Sequence, residues 1–237
     1  PVQLTQAGKR LLDTAEHMLN ELQICQSDLN AINDLTQGTL SIAASDIVSR
    51  LLLIKPFQQF KNEYPGIDLA LFNTTSSQAV DLVKSARADI GFVIAQKESQ
   101  PLHFTPLTQI HWCAFGDNIF DWRDNSEENQ TLILLGHDTR TRELIDASLP
   151  ELNLPKHRVM EVGSVEAQID WAEAGFGTAI VPDFSLDPRL KLSRKVTSLP
   201  SFPNTDFGYI VRQNQVLSKA AKQLLKWVGE NVSVVEV

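Results

Sequence analysis

Apolar or small residues recur at alternating steps of four and three positions through the first part of the chain. No proline interrupts residues 6–37, and Gly38 follows them. This spacing predicts one apolar side on an α-helix of about four heptads and about 45 Å. A helix of that length cannot bury its apolar side on a small domain, so we predict pairing with a second copy; a surface helix packed on its own body is the alternative. The predicted dimerisation residues are Leu11, Ala15, Met18, Leu22, Cys25, Leu29 and Ile32.

After Gly38 the pattern changes to short apolar strands separated by amphipathic helices, and the order β-α-β-α-β occurs twice. The predicted strands cover residues 39–45, 67–72, 90–94, 132–135, 159–162 and 178–181. The predicted helices cover residues 49–63, 77–87, 140–149 and 165–174. Two such units predict an α/β fold of two lobes, each with a mainly parallel sheet.

The C-terminal pattern predicts a return to the first lobe, with a strand at 206–211 and a helix at 218–230. The chain would then cross between the lobes twice, and we place the crossings near residues 105–110 and 204–208. The predicted division assigns residues 9–37 to the long helix, 38–107 and 206–237 to the first lobe, and 108–205 to the second lobe.

Composition and charge exclude several classes of function. The formal net charge of −8 argues against this chain itself binding a nucleic-acid backbone. No apolar run is long enough to span a membrane, and Cys25 and Cys113 lack partners at metal-ligand spacing. The sequence contains no nucleophile elbow, phosphate-binding loop or dinucleotide fingerprint. We therefore expect a cytoplasmic protein without a metal, a cofactor or enzymatic activity.

Five short segments, in order along the chain, resemble elements of the bacterial LysR-type transcriptional regulators. They are similar to that family's L-T-x-A-G junction, G-x-L-x-I entry, F-x-x-x-Y-P segment, x-D-hydrophobic-G strand and G-x-G-hydrophobic-x-x-x-P turn. The matching stretches are residues 4–8, 38–42, 60–65, 88–91 and 174–182. The resemblance extends over most of the chain, and the order of the segments makes it specific.

The resemblance implies a type 2 periplasmic-binding-protein-like regulatory domain preceded by a coiled-coil-like linker helix. It further implies a homodimer or homotetramer whose control of transcription depends on a small-molecule effector. Residues 1–8 would then be the remnant of a winged helix-turn-helix domain, and only that domain would contact promoter DNA. Peroxide-sensing relatives carry a reactive cysteine where this chain has Asp138, so a sensor of that type is not expected.

Effector-binding residues are expected where strands end and helices begin, because free N–H groups and hydroxyls meet there. The resemblance places these segments in the cleft and matches Ser45, Thr75, Thr139 and Ile94 to effector positions of relatives. Ordinary helix capping is the alternative explanation for any single Ser or Thr. The predicted effector-binding residues are Ser45, Asp46, Ile47, Val48, Ser49, Thr74, Thr75, Ser76, Ile94, His137, Thr139, Gly163 and Ser164.

The charge of the effector stays open at the level of sequence. Asp46 and Asp138 could repel an acid or attract an amine, while Arg140 and Arg142 could neutralise Asp138. A stand-alone solute-binding protein of a transport system is the alternative function. That class of protein shares the two-lobed body but has no use for a long heptad helix.

Overall fold

The computed structural model describes residues 5–32, 37–94, 101–116, 130–152, 157–191, 195–200 and 202–234. Its helices are α1 Gln6–Ile32, α2 Asp46–Val48, α3 Ile54–Glu63, α4 Ser76–Lys84, α5 Arg140–Ser148, α6 Val165–Glu173, α7 Pro188–Lys191 and α8 Lys219–Val234. Its strands are β1 Gly38–Ala44, β2 Ile67–Asn73, β3 Ile90–Ile94, β4 Leu102–Ile110, β5 Trp112–Phe115, β6 Gln130–Leu135, β7 His157–Val162, β8 Thr178–Pro182, β9 Val196–Ser198 and β10 Thr205–Arg212.

Helix α1 exposes the apolar side that the heptad pattern predicts. Leu11, Met18 and Leu22 are 71%, 64% and 65% exposed, and Cys25 and Leu29 are exposed as well. Ala15 is half-buried, and the side chain of Ile32 lies outside the described part. The opposite side of α1, around Asn20 and Ile24, borders a crevice shared with α4. The apolar side therefore faces away from the chain's own body, and its pairing with a second copy stays a prediction.

Two five-stranded sheets repeat one arrangement. The first has the order β2-β1-β3-β10-β4, and the second has the order β7-β6-β8-β5-β9. In each sheet the three strands named first are parallel, and the fourth runs antiparallel to them. We call the sheet that contains β1, with its helices, lobe I, and the sheet that contains β6, with its helices, lobe II. The predicted two-lobed α/β class is confirmed.

The chain passes between the lobes twice. Strand β4 ends in lobe I at Ile110 and β5 begins in lobe II at Trp112, while the return lies between β9 and β10. The indole N–H of Trp112 donates to Thr205 Oγ1 at 3.1 Å, which joins the two crossing segments. The predicted boundary between residues 107 and 108 falls inside β4.

The helix after β1 differs from the pattern-based prediction. It begins at Asp46 rather than near residue 49, and a π-helical stretch, Ser49–Leu53, separates α2 from α3. The side-chain amide of Asn231, on α8, donates to Leu52 O at 3.0 Å. This bond supplies a partner for one carbonyl at the irregular turn, where π-helical spacing disturbs the regular ladder.

Candidate effector-binding cleft

A cavity of about 420 Å³ lies where the parallel strands of the two lobes end. All six of those strands contribute their last residue or the one that follows it, because parallel strands of one sheet point the same way. Those six residues are Ser45, Asn73, Ile94, Leu135, Gly163 and Pro182. The volume suits a small metabolite.

The lobe I wall of the cavity is organised by the start of α4. Thr75 Oγ1 accepts from Gln78 N, and Gln78 Oε1 accepts from Thr75 N, which forms a complete capping box. Ile94 N donates to Ser76 Oγ at 3.2 Å, so the hydroxyl ties the helix to the end of β3. Thr74 Oγ1 is buried and has no hydrogen-bond partner in the described structure. It is therefore the hydroxyl of this wall that a ligand or water would satisfy.

The lobe II wall is formed by the starts of α5 and α6. Thr139 Oγ1 accepts from Arg142 N at 3.2 Å and donates to Gly136 O at 2.9 Å. Ser164 Oγ accepts from Ala167 N at 3.1 Å. These two hydroxyls act as helix caps, which is the alternative role that the sequence analysis gave for any single Ser or Thr. Both residues also line the cavity.

One ion pair joins the two lobes beside the cavity. Arg50 Nη2, in lobe I, lies 2.7 Å from Glu166 Oε1, in lobe II, and Glu166 lines the cavity. The Arg50 side chain is half exposed, so water screens the pair and the expected contribution to stability is below about 1 kcal/mol.

Three of the predicted effector residues lie away from the cavity. Val48 is buried in the core, and Ser49 Oγ donates to Ser45 O at 2.8 Å. His137 turns toward acids of lobe II, with Nε2 2.9 Å from Glu161 Oε1. The other ten line the cavity: Ser45, Asp46, Ile47, Thr74, Thr75, Ser76, Ile94, Thr139, Gly163 and Ser164.

Eight further lining residues were not predicted from the sequence. They are Asn73, Gln78, Leu135, Arg140, Thr141, Val165, Glu166 and Pro182. Most of them lie within two residues of a predicted one, so a wider window around each helix start would have found them. The exception is Pro182, which ends β8 and lies far along the chain from every predicted residue.

Arg142 braces the cleft edge of lobe II from behind. Its guanidinium donates to Leu135 O at 2.9 Å, to Asp146 Oδ1 at 2.8 Å and to Glu161 Oε1 at 3.1 Å. The Arg142 side chain is only 5% exposed, so these bonds fix its position. Neither Arg140 nor Arg142 pairs with Asp138, because both bind acids of α5 and β7 instead.

The two cysteines differ in environment. Burial, reinforced by the nearby charge of Asp183, raises the pKa of Cys113 to about 12, so its thiolate is not accessible near neutral pH. Cys25 is exposed on α1. Within the described ranges no three His, Cys, Asp or Glu side chains are grouped to hold a metal ion, and no helix there is long and apolar enough to cross a membrane.

A second cavity, of about 520 Å³, lies beside the crossing segments. Lobe I supplies apolar side chains such as Leu52 and Phe207, and lobe II supplies Asp183, Phe184 and Lys191. None of its described lining residues was predicted to bind the effector.

A two-lobed α/β fold with a cavity at the strand ends of both lobes is typical of a ligand-binding domain. Residues 33–233 match the family described as the LysR substrate binding domain, and the chain belongs to that family. It is thus the effector-binding region of a LysR-type transcriptional regulator, and the resemblance stated from the sequence is confirmed.

Two relatives illustrate the extent of the match. The chain is 22% identical over 234 residues to the HTH-type transcriptional regulator YofA of Bacillus subtilis, covering 97% of this chain and 80% of that protein. It is 24% identical over 233 residues to YfeR of Shigella flexneri, described as an uncharacterized HTH-type transcriptional regulator, covering 94% and 74%. The relatives are therefore transcriptional regulators.

Solved structures share the fold. A putative LysR family regulator from Pseudomonas aeruginosa matches with a TM-score of 0.64 and 20% identity, covering 98% of this chain and 85% of that one. The effector binding domain of QuiR in complex with shikimate matches with a TM-score of 0.64 and 16% identity, covering 82% and 96%.

Proposed function

We propose that the cavity between the lobes binds a small metabolite and that its occupancy shifts the lobe arrangement through which transcription is controlled. The observation that carries this proposal is the convergence of strand ends from both lobes on one cavity. A molecule held there contacts both lobes, so it stabilises the lobe angle at which its contacts are best. The QuiR domain, which has the same fold, is in complex with shikimate.

The proposed contacts are the ten predicted residues that line the cavity, from Ser45 to Ser164. We propose binding without catalysis. The described lining contains no histidine or cysteine, and the hydroxyls of Thr75, Thr139 and Ser164 already cap helices. A nucleophile would need an adjacent base to activate it.

We further propose a cytoplasmic homodimer or homotetramer whose subunits pair through α1. The exposure of Leu11, Met18 and Leu22 on the side of α1 that faces away from the body supports this arrangement. Promoter DNA would be contacted by the helix-turn-helix part for which the relatives are named. The acidic region described above would not contact DNA.

A ligand screen tests the binding proposal. The full chain is heated with members of a metabolite panel, and a ligand at about 100 times its Kd adds about 2.7 kcal/mol of stability. Gly163→Leu should abolish that shift, because a Cβ at Gly163 meets no atom within 4 Å and the new side chain can enter the cavity. Gly229→Ala, outside the cavity, is the control. A panel with no binder, or a ligand that still binds Gly163→Leu, would contradict the proposal.

Sedimentation velocity over a concentration series tests the pairing of α1. Leu22→Glu places a charge on the apolar side, so we expect dissociation toward monomers. Gln23→Glu introduces the same charge at an exposed neighbour outside that side and should leave association unchanged. A wild-type chain that stays monomeric at every concentration would refute the arrangement.

A further inference from the structure

The charges at the effector cavity do not balance. Three ionisable side chains line it: Asp46, Arg140 and Glu166. Arg140 Nη1 is 2.5 Å from Glu143 Oε2, and Glu166 is bound to Arg50 at 2.7 Å. Among the described residues Asp46 makes neither an ion pair nor a side-chain hydrogen bond. The uncompensated charge of the wall is therefore a carboxylate.

The next guanidinium along the chain is already occupied. Arg142 directs its nitrogens to Leu135 O, Asp146 and Glu161, behind the wall rather than into the cavity. A ligand whose charge is only negative would meet Asp46 without a free cation from the described lining to offset the repulsion. A ligand that carries an ammonium group would gain a charge-assisted hydrogen bond with Asp46.

The same cavity provides donors for one acceptor group. The first N–H groups of a helix have no intrahelical partner, and those of Ser76 and Val165 begin α4 and α6 at the cavity. The caps Thr75 and Ser164 bind N–H groups further into each helix and leave these free. Thr74 Oγ1, buried and without a partner in the described structure, is an independent further donor. Together they suit a single carboxylate.

The remaining wall is apolar. Five aliphatic side chains or rings line it, and they come from both lobes: Ile47, Ile94, Leu135, Val165 and Pro182. An uncharged, mainly apolar group of moderate size would bury its surface there at about 25 cal/mol per Å².

From these three features we infer that the effector is an α-amino acid with an uncharged, mainly apolar side chain, an inference that rests on the proposed function of the cleft. Its ammonium group faces Asp46, its carboxylate accepts from the N–H groups at the starts of α4 or α6 and from Thr74, and its side chain lies against the aliphatic wall. Asp46 thus determines the class of ligand.

A set of matched compounds tests the inference by calorimetry on the full chain. L-leucine, L-methionine and L-phenylalanine are each compared with the acid that lacks the amino group and the amine that lacks the carboxyl group. For leucine these are 4-methylpentanoate and 3-methylbutylamine. We expect at least one amino acid to bind, its amine to bind about tenfold more weakly and its acid not to bind.

Two variants separate the role of Asp46 from general effects of charge. Asp46→Asn keeps the shape of the side chain and removes its charge, so the Kd of the amino acid should rise about tenfold or more. Asp170→Asn removes an exposed carboxylate of α6 that does not line the cavity, and affinity should stay unchanged.

The outcomes distinguish the two proposals. Binding of the acid in preference to the amino acid, or an Asp46→Asn chain that binds the amino acid as well as wild type, overturns the inference about ligand class. If none of the amino acids binds but another metabolite does, the inference also fails while the cleft remains an effector site. If no metabolite of a broad panel binds, the proposed function itself is refuted.

Discussion

Lobe I and lobe II share one order of strands, and in each lobe a buried arginine holds backbone carbonyl groups in place. We call this arginine the brace of its lobe. The two arginines lie at opposite ends of the parallel strands: at the start of β3 in lobe I and at the end of β6 in lobe II. Arg212 of lobe I donates to Val83 O and Ala88 O at 3.1 Å each, beside Asp89 at the start of β3. Arg142 of lobe II donates to Leu135 O at the end of β6. The arginine of lobe I therefore binds backbone carbonyls far from the cleft, whereas the arginine of lobe II binds one at the cleft itself.

This difference predicts different behaviour of the two cleft walls. In lobe II, Arg142 of α5 hydrogen-bonds to Leu135 O, Asp146 and Glu161 on the side away from the cavity. The geometry of this wall is therefore set before a ligand binds. The wall of lobe I presents an unpaired Asp46 and an unsatisfied Thr74 hydroxyl. We expect lobe II to act as the rigid template and lobe I to complete its hydrogen bonds only when the cavity is occupied.

Removing the lobe I brace should have the largest effect. Arg212→Met removes the cation that lies 4.0 Å from the largely buried carboxylate of Asp89, so the free energy of unfolding should fall by about 3 kcal/mol in urea titrations. Adding Asp89→Asn to this variant removes the orphaned charge while keeping an acceptor for Ser41 N, and should recover about 1 kcal/mol or more. No recovery in the double variant would show that the ion pair is not the cause.

Removing the lobe II brace should cost less. In Arg142→Met the carboxylates of Asp146 and Glu161 can rehydrate, because they are 41% and 46% exposed. We expect the free energy of unfolding to fall by about 2 kcal/mol, mainly because Leu135 O loses its donor and the charged hydrogen bonds of Arg142 are lost. Arg140→Met breaks a more exposed pair in the same helix and should stay within about 0.5 kcal/mol. Equal losses in the two variants would contradict the role of Arg142.

Breaking the contact between the lobes should affect shape more than stability. Arg50→Ala removes the pair with Glu166, and we expect less than about 1 kcal/mol of destabilisation but a larger radius of gyration in X-ray scattering. Lys61→Ala, which removes an exposed pair within lobe I, is the control. If both variants scatter like wild type, the pair does not hold the lobes together.

The smallest expected effect is a pH dependence of the free energy of unfolding that comes from Asp89, the partner of Arg212 in lobe I. Burial raises the pKa of Asp89 and outweighs the lowering by the Ser41 N–H and by Arg212. A carboxyl whose pKa is raised in the folded state contributes stability below its unfolded pKa, and that stability is lost as pH rises through the folded value. From about pH 4 upward, wild type should therefore lose stability relative to Asp89→Asn. The difference in urea midpoint between the two proteins, followed from acid to neutral pH, checks the sign; a constant difference would contradict it.

The strands and helices of the repeated unit could be predicted because buried strands and amphipathic helices have distinct periods. Strand β4 was not predicted as a strand, and only a crossing near residues 105–110 was expected there. It contains Pro106 and lies at the edge of its sheet, where proline is tolerated. Strand β9 has three residues and too little pattern to detect. The π-helical turn, whose Leu52 O accepts from Asn231 of α8, has no signal in the local sequence pattern.

Much of the cleft wall was accessible from the sequence, because helix starts after parallel strands meet at one edge. Its electrostatics were not. The pairing of Arg50 with Glu166 joins residues 116 positions apart, and only the folded chain shows which acids occupy Arg140 and Arg142. His137 was predicted at the cavity because it follows β6, yet the turn before α5 directs its ring to Glu161.

The position of β10 has a consequence for how the chain is made. This strand lies between β3 and β4, although it is the last strand along the sequence. On the ribosome, β4 therefore emerges long before the neighbour that holds it, while every strand of the other sheet is available by Ser198. We expect the inserted lobe to fold first during translation and the lobe that begins the chain to be completed last.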